Sequence, residues 1–560
     1  VDKHNVALSL KSSILLSIIP ISFLAIFFIL PVANIIALGL HHDNQWNLNI
    51  LQSVWGDSYL RQVIWFTFAQ AIASTALTIA IGFPIAYLLA RYKFPLHGFI
   101  NGLVTVPFVL PTVVVAVAFL VLLRPDGWAG GLLGGWWGAS PPDLRGTLAA
   151  VLMAHVFYNV SVVVRIVGGL LDQLDPAIED AAAVLGANKW NIFTKVTLPL
   201  VRPALISAAL VVFLFTFTSF GVVLFLGGPG NSTLEVEIHR QTALLLNLPV
   251  AAALSISQLV MVAVLATISL KQQRGAAVEQ PLVGGRAGAR QRVASTIGER
   301  SVVLGMILVS LGFFGAPLLA MVLRSLRSGS TVFTLEWYRR LFGPSSTVLG
   351  RSAIEAVWNS LQFAAVATVV AVVVGLSASF VIVRGPEIWR RWFEVLLLLP
   401  LGVSAVTVGF GFIVGLDEPP LNLRNSWWLI PMAQALVSTP FVVRVLVPVL
   451  ASIESRIHEA AAVLGASPLR TLWEVDLPLI GRAVGLAAGF AFAMSLGEFG
   501  ATVFIARADT VTVPVAIMRL LGLPGASNYG QAMALSSILM ALTFSSMLVV
   551  SKIRLPQVSA

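Results

Sequence analysis

Long apolar stretches alternate with short polar interludes along the whole chain. Crossing roughly 30 Å of hydrocarbon takes about 20 apolar residues. Segments that qualify lie near 13–40, 62–90, 99–123, 147–171, 200–226 and 247–270. A second set lies near 301–323, 356–383, 393–416, 427–451, 480–505 and 527–550. The pattern predicts an all-α polytopic membrane protein built as two halves of six helices. The halves are residues 1–270 and 301–560, joined by a Gly/Arg-rich linker over 271–300. The first apolar run is too long for a signal-peptide core, so it reads as a retained span.

Composition agrees with this pattern. The 560 residues are 58% hydrophobic and 11% charged, with a mean hydropathy of +0.91, whereas soluble domains carry about 25% charged residues. There is no cysteine, which excludes disulfides and thiolate metal sites. The net charge of +10 is explained by topology and not by a nucleic-acid partner, because cytoplasmic loops collect Lys and Arg. Basic loops occur at 91–98, 271–293, 384–394 and 551–557. With the N-terminus inside, all of them fall on the cytoplasmic side of a cell membrane, and so does the C-terminus. Loop 324–355 departs from the trend, holding Arg324, Arg327, Arg339, Arg340 and Arg351 on the outer side.

The polar interludes contain a repeat. The string AAAVLGA occurs at Ala181–Ala187 and again at Ala460–Ala466, an offset of 460 − 181 = 279 residues. Residues 180–199 and 459–478 are identical at ten of twenty positions. His155 to Arg165 aligns with Gln434 to Arg444 at the same offset, as do Phe213, Phe220 and Gly221 with Phe492, Phe499 and Gly500. Upstream the register becomes 293, pairing Gly82 and Arg91 with Gly375 and Arg384; a longer outer loop around 125–143 accounts for the difference of 14. Six helices per half is an even number, so both halves enter the membrane the same way, related by an axis along its normal.

In the repeated segment, Asp180 and Glu459 are expected at the start of short helices, where an acid complements the dipole. The alanines favour helix with little bulk, so another protein's surface can approach the backbone. Gly186 and Gly465 then permit a positive φ or a close crossing. Leu198-Pro199 and Leu477-Pro478 close the segments, proline fitting the first turn of the next span. The expectation is a helix–turn–helix beneath the membrane, once per half. Duplication without a partner would leave amphipathic interfacial helices free to drift, which the retained identity argues against.

The motif E-A-A, three residues, G, then L-P after eleven more resembles the EAA signature of ABC-importer permeases. The second copy matches as Glu459-Ala460-Ala461 with Gly465; the first has Asp180 in place of the glutamate, followed by Ala181, Ala182 and Gly186. The resemblance implies the type I importer transmembrane fold, with coupling segments near 176–197 and 455–476 docked on two cytoplasmic ABC ATPase subunits. It also implies an extracytoplasmic solute-binding protein that delivers cargo. No G-x-x-x-x-G-K-[ST] loop is present, and GGPGNST (227–233) lacks the lysine. The chain is therefore expected to be no enzyme and to hold no cofactor, ATP being bound by the partner.

Candidates in the membrane are fewer. Glu498, in SLGEFGA, is an intramembrane acid and so a functional hypothesis; a water-facing or Arg507-paired residue near the outer mouth is the simpler explanation. Its aligned partner is Ser219, and with Phe220 and Phe499 these form the expected substrate pathway. Arg165 and Arg444 read as snorkelling to headgroups or as contacts to the coupling segments. His155 reads as a hydrogen-bonded packing residue. Phe213, Phe215, Phe217 and Phe220 read as packing, or as a cation–π surface. The glycines of 402–415 read as close helix packing.

Fused double permeases of this kind resemble the thiamine and ferric-iron importer groups, and 226–240 and 154–159 carry that likeness. Ferric iron wants several hard oxygen ligands, whereas thiamine is an organic cation suited to aromatics and one acid, so thiamine is expected first and ferric iron next. The rival from another class is an ion-coupled secondary transporter with two six-helix repeats, for which Glu498 is the one titratable candidate read from the spans.

Overall fold

Where the chain must cross hydrocarbon, every backbone N–H and C=O has to be satisfied within the segment, and helices result. The computed structural model describes residues 10–42, 45–46, 49–125, 127, 143–276, 291–328, 332–343, 352–417 and 421–552. Residues 277–290 of the expected linker, most of the loop 125–143, and Arg351 lie outside the described residues. Ten described helices are long and apolar enough to cross a membrane. The protein is an all-α polytopic membrane protein, and among the described residues the strands are two-residue pairs.

Two of the expected spans are not continuous. Segment 99–123 is a pair of helices, His97–Phe108 and Thr112–Leu122, bent by 108°. Pro111 at the break lacks an N–H and biases its predecessor away from α. Segment 393–416 divides at the equivalent place into Glu387–Gly402 and Ala405–Gly415, where Ser404 caps the second helix by accepting from Thr407 N at 3.0 Å. Two further spans start earlier and stop earlier than expected. Lys189–Phe217 is followed by a break and a short helix, Gly221–Leu226. Leu472–Gly497 is likewise followed by Thr502–Ile505.

The chain forms two compact units that cut across the sequence halves. One contains Val1–Val54, Glu237–Leu259 and Leu326–Gln557; the other contains Trp55–Val236, Val260–Ser325 and Val558–Ala560. Each half thus contributes its first helix to the unit that holds most of the other half, and the first half adds Glu237–Leu259 to the first unit. The repeat is a division of sequence and the unit a division of space.

In the first unit, the helices Ala353–Arg384, Leu429–Ala451 and Leu477–Gly497 share a core. Ala367, Ala371 and Ala378 line one helix, and Ala483, Ala487 and Ala491 another. Small residues suit a bilayer, because helix association there depends on close backbone approach and not on exclusion of water. The helix Ser13–Leu40 lies on this core through Phe23 and Phe28. Its Pro31 sits where a Cβ on Gly411 would come within 2.9 Å, so the expected packing role of these glycines holds. In the second unit, Phe119 and Phe157 stand edge to face with centroids 5.4 Å apart. Phe314 of the helix Ile297–Ser325 packs on Phe157 at 5.6 Å.

Two contacts of the first copy recur at the equivalent positions of the second. A Cβ on Gly82 would lie 3.0 Å from Val163 Cβ, and one on Gly375 2.7 Å from Val442 Cγ1. Glycine 82 and glycine 375 differ by 293, valine 163 and valine 442 by 279. Likewise Leu234 N donates to Thr67 Oγ1 at 3.0 Å, and Val513 N to Ser360 Oγ at 2.8 Å. Both registers read from the sequence therefore describe one helix arrangement built twice. Gly375→Ala is expected to cost about 1–3 kcal/mol by overpacking, seen as a lower thermal midpoint in detergent. Gly305→Ala, whose Cβ meets nothing within 4 Å, is the control and should leave the midpoint unchanged or slightly raised.

Candidate functional site

The repeated segment folds alike in both copies. In the first, the helix Pro176–Val184 is capped by Asp175, which accepts from Ala177 N at 2.9 Å, with proline at the position where its missing donor costs nothing. It ends in a Schellman motif: Ala187 N donates to Ala182 O at 3.1 Å and Gly186 N to Ala183 O at 3.0 Å. The second copy, helix Ser455–Val463, repeats this as Ala466 N to Ala461 O at 3.0 Å and Gly465 N to Ala462 O at 2.9 Å. Gly186 has φ +86° and Gly465 φ +80°. No atom lies within 4 Å of where their Cβ would stand. Of the two reasons considered for glycine here, the positive φ is the operative one.

Tight turns of this kind push their last helical side chains outward. Val184 and Leu185 are 87% and 88% exposed, Val463 and Leu464 87% and 86%. Four large aliphatic side chains so fully exposed, in matched pairs, are unusual for an ordinary surface. The sequence motif pointed at Asp180 and Glu459 as the helix starts, and this is corrected. Both lie inside their helices, exposed on the surface, four residues beyond the first helical position. Ala181 and Ala460 are exposed, Ala182 and Ala461 half-buried. Leu198-Pro199 and Leu477-Pro478 also differ from expectation. Each follows a π-helical turn, Phe193–Thr197 or Leu472–Asp476, inside a helix that already runs into the span. Such turns often mark functional positions.

One set of contacts had no sequence signal beyond a matched arginine. Arg91, buried at the end of the helix Ser58–Arg91, donates to Glu179 Oε1 at 2.7 Å, and Thr197 Oγ1 donates to the same oxygen at 2.9 Å. In the other copy Arg384, ending the helix Ala353–Arg384, donates to both oxygens of the fully buried Asp476. His458 Nε2 lies 2.8 Å from Asp476 Oδ1 and 2.6 Å from Arg384 Nη2. The helices Pro176–Val184 and Ser455–Val463 are thereby each tied to the end of one span and the start of another.

These ties also place the basic loops. In one unit Tyr92 and Lys93 pair with Arg292 and Val293, and Lys189 Nζ reaches Glu299 at 2.9 Å. Loop 91–98, the end of the linker and the first coupling segment therefore share one end of that unit. At the loops around Gly146 and Gly228, Asn231 Nδ2 donates to Gly146 O at 2.9 Å. In its own loop Asp143 has its carboxyl held below the usual carboxylate range by hydrogen bonds from Arg145.

The expected pathway residues sit at the two helix breaks. Glu498 is buried; its oxygens accept from Ala501 N at 2.7 Å, from Thr502 N at 3.1 Å and from the Thr502 hydroxyl. Its side chain satisfies the N–H groups of Ala501 and Thr502, where the helix Thr502–Ile505 opens. Arg507 pairs instead with Asp509, at 3.0 Å. Ser219, at the equivalent break, bonds His155 Nε2 at 2.8 Å, and Ser74 Oγ lies 3.0 Å from His155 Nδ1. His155 thus joins its own helix to the helix Ser58–Arg91 and to the break at Ser219, as a packing histidine would. Phe220 and Phe499 are buried beside these breaks. Phe213 stacks on Phe217 at 5.8 Å, and Arg165 lies over Phe108 at 5.6 Å. Arg444 is exposed on its helix. Reading the spans alone missed Glu235 and Glu237, both fully buried in the helix Leu234–His239, because that helix lies between spans. Glu237 accepts from Gln241 Nε2 at 2.7 Å. Among the described residues no group of three His, Asp or Glu is arranged to hold a metal ion.

Known proteins share this pattern. Residues 82–272 match the family described as binding-protein-dependent transport system inner membrane component. The chain is 27% identical to the thiamine transport system permease protein of Escherichia coli (strain K12), covering 84% of this chain and 85% of that one. It is 24% identical to the ferric transport system permease protein of Actinobacillus pleuropneumoniae, covering 81% of this chain and 66% of that one. A solved chain of a bacterial ABC transporter involved in alginate import aligns over 48% of this chain and 96% of its own, at TM-score 0.40 and 17% identity.

Proposed function

We propose that this chain, an ABC-importer permease carrying the binding-protein-dependent transport domain, moves a cationic solute inward, powered by two ATPase subunits bound at its coupling segments. The observation that carries the reading is the pair of Schellman turns, each presenting an exposed Val-Leu tip on a helix tied to span ends. An apolar tip on a short helix suits a groove on a partner, and the match between copies suits two like partners. The end bearing the basic loops is the cytoplasmic end on this reading, with both termini inside. ATP-driven approach of the two partners would carry the coupling helices, and the spans tied to them, between two arrangements.

For cargo, thiamine is placed first and ferric iron second. The named relatives support both, and the buried Glu498 with the buried Phe499 beside it suits an organic cation. A solute-binding protein delivers the cargo from outside. The test reconstitutes the chain with its ATPase and adds binding protein loaded with thiamine or with ferric iron. ATPase activity should rise with the thiamine-loaded protein; stimulation by iron alone would reverse the order, and stimulation by neither would remove both. The double variant V184D/L185D is expected to lower recovery of ATPase on the purified permease by about tenfold, a loss of about 1.4 kcal/mol in binding. Undiminished recovery would argue against the tip as the docking point.

A further inference from the structure

Three positions meet beneath each coupling helix, and their chemistry is transposed between the copies. Arg91 and Arg384 correspond at 293; Glu179 and His458, and Thr197 and Asp476, correspond at 279. In the first copy the acid stands on the coupling helix as Glu179, and the π turn supplies the neutral Thr197. In the second the acid stands on the π turn as Asp476, and the coupling helix supplies His458. Two of three side chains differ, yet the equivalent arginine binds the acid both times, with Glu179 as the shared acceptor in the first copy and all three side chains in mutual contact in the second. The corners are shielded: Arg91 is 6% exposed, Thr197 1% and Asp476 0%. A surface tie would need neither burial nor replacement of both partners at once.

Resting on the importer reading, we infer that these triangles are the linkages that move the spans when the coupling helices move. Arg91 ends the helix Ser58–Arg91 and Thr197 opens the run into Leu198–Phe217, so Glu179 joins a coupling helix to two spans at once. Arg384, His458 and Asp476 make the same three-way junction in the other copy. A charge-assisted bond to a planar guanidinium fixes direction as well as distance, as a lever joint requires. The arginines and acids are positioning residues, with no contact to cargo or nucleotide required. Gly186 and Gly465 set the turn that meets the partner; the triangles fix the other end of each helix.

The transposition supplies its own test. Glu179→Gln, assayed in proteoliposomes with ATPase and loaded binding protein, is expected to retain bound ATPase and its hydrolysis while solute moved per ATP falls about tenfold or more. The double variant E179H/T197D rebuilds the triangle of the second copy in the first and should recover transport to within about threefold of the parent. Its reciprocal, H458E/D476T, should do likewise, and the single changes E179H and D476T should not. The inference is overturned if Glu179→Gln transports at the parental ratio, or if the double variants, shown by thermal melting to be folded, are no better than the singles. A parent chain that binds no ATPase would instead remove the importer reading itself, an outcome separate from either of these.

Discussion

Gly465→Arg is expected to leave the protein in the membrane at parental amounts while abolishing uptake. Glycine at φ +80° closes the Schellman turn, and an L-residue held there costs roughly 1–2 kcal/mol. The space around its Cβ is open, so nothing clashes and the helices of the core are undisturbed. The change instead turns the adjacent Val463-Leu464 tip and sets a cation beside it. Uptake should fall by about two orders of magnitude, as loss of alignment at a working interface commonly costs, while ATP hydrolysis by the added ATPase continues unstimulated. Gly186→Arg should do the same through the other copy. Normal uptake by both variants, measured with labelled solute in vesicles, would remove these turns from the mechanism.

The second large effect is at Glu498, where two roles separate. At the break, its carboxylate satisfies two backbone N–H groups and a hydroxyl away from water. Glu498→Ala orphans them, and each unsatisfied buried donor costs about 1–3 kcal/mol. A clear fall in thermal midpoint and a matching loss of folded protein are expected. Glu498→Gln keeps one acceptor oxygen, sets an NH2 against the other donor and removes the charge, so it should fold with a smaller fall in midpoint than Ala. If the charge meets a cationic solute, Gln abolishes uptake by the folded protein; if the residue only holds the break together, the folded Gln variant transports normally. Aligned against Ser219, whose own break is held through His155, the charge is specific to one half, and this favours loss of uptake.

Much of this architecture could be read from periodicity. Helices, the duplicated core and the location of the two glycine turns follow from apolar run length and one repeated string, because a bilayer leaves the backbone few alternatives. The registers 279 and 293 even anticipated side-chain partners, as Gly82–Val163 and Gly375–Val442 attest. What escaped were breaks and swaps. Pro111 and Ser404 interrupt segments whose average hydropathy reads as continuous. The exchange of the helices Ser13–Leu40 and Ile297–Ser325 between units depends on packing partners far apart in the chain, which composition does not encode. At the coupling segments, motif reading settled on Asp180 and Glu459, both exposed, and passed over Glu179, one residue away and turned toward Arg91. The helix start at Asp175-Pro176 was visible in principle from its cap and proline. The triangles were harder to foresee, because their members are dissimilar between copies and an identity search discards them.

The central claim is that both exposed tips meet ATPase partners inside the cell. The chain has no native cysteine, so Leu185→Cys and Leu464→Cys each introduce a single thiol at a tip. Labelling by a membrane-impermeant maleimide should be absent in intact cells, appear in inverted vesicles, and be blocked by added ATPase at both positions. Labelling from outside, or labelling in inverted vesicles that the ATPase leaves unchanged, would contradict the account.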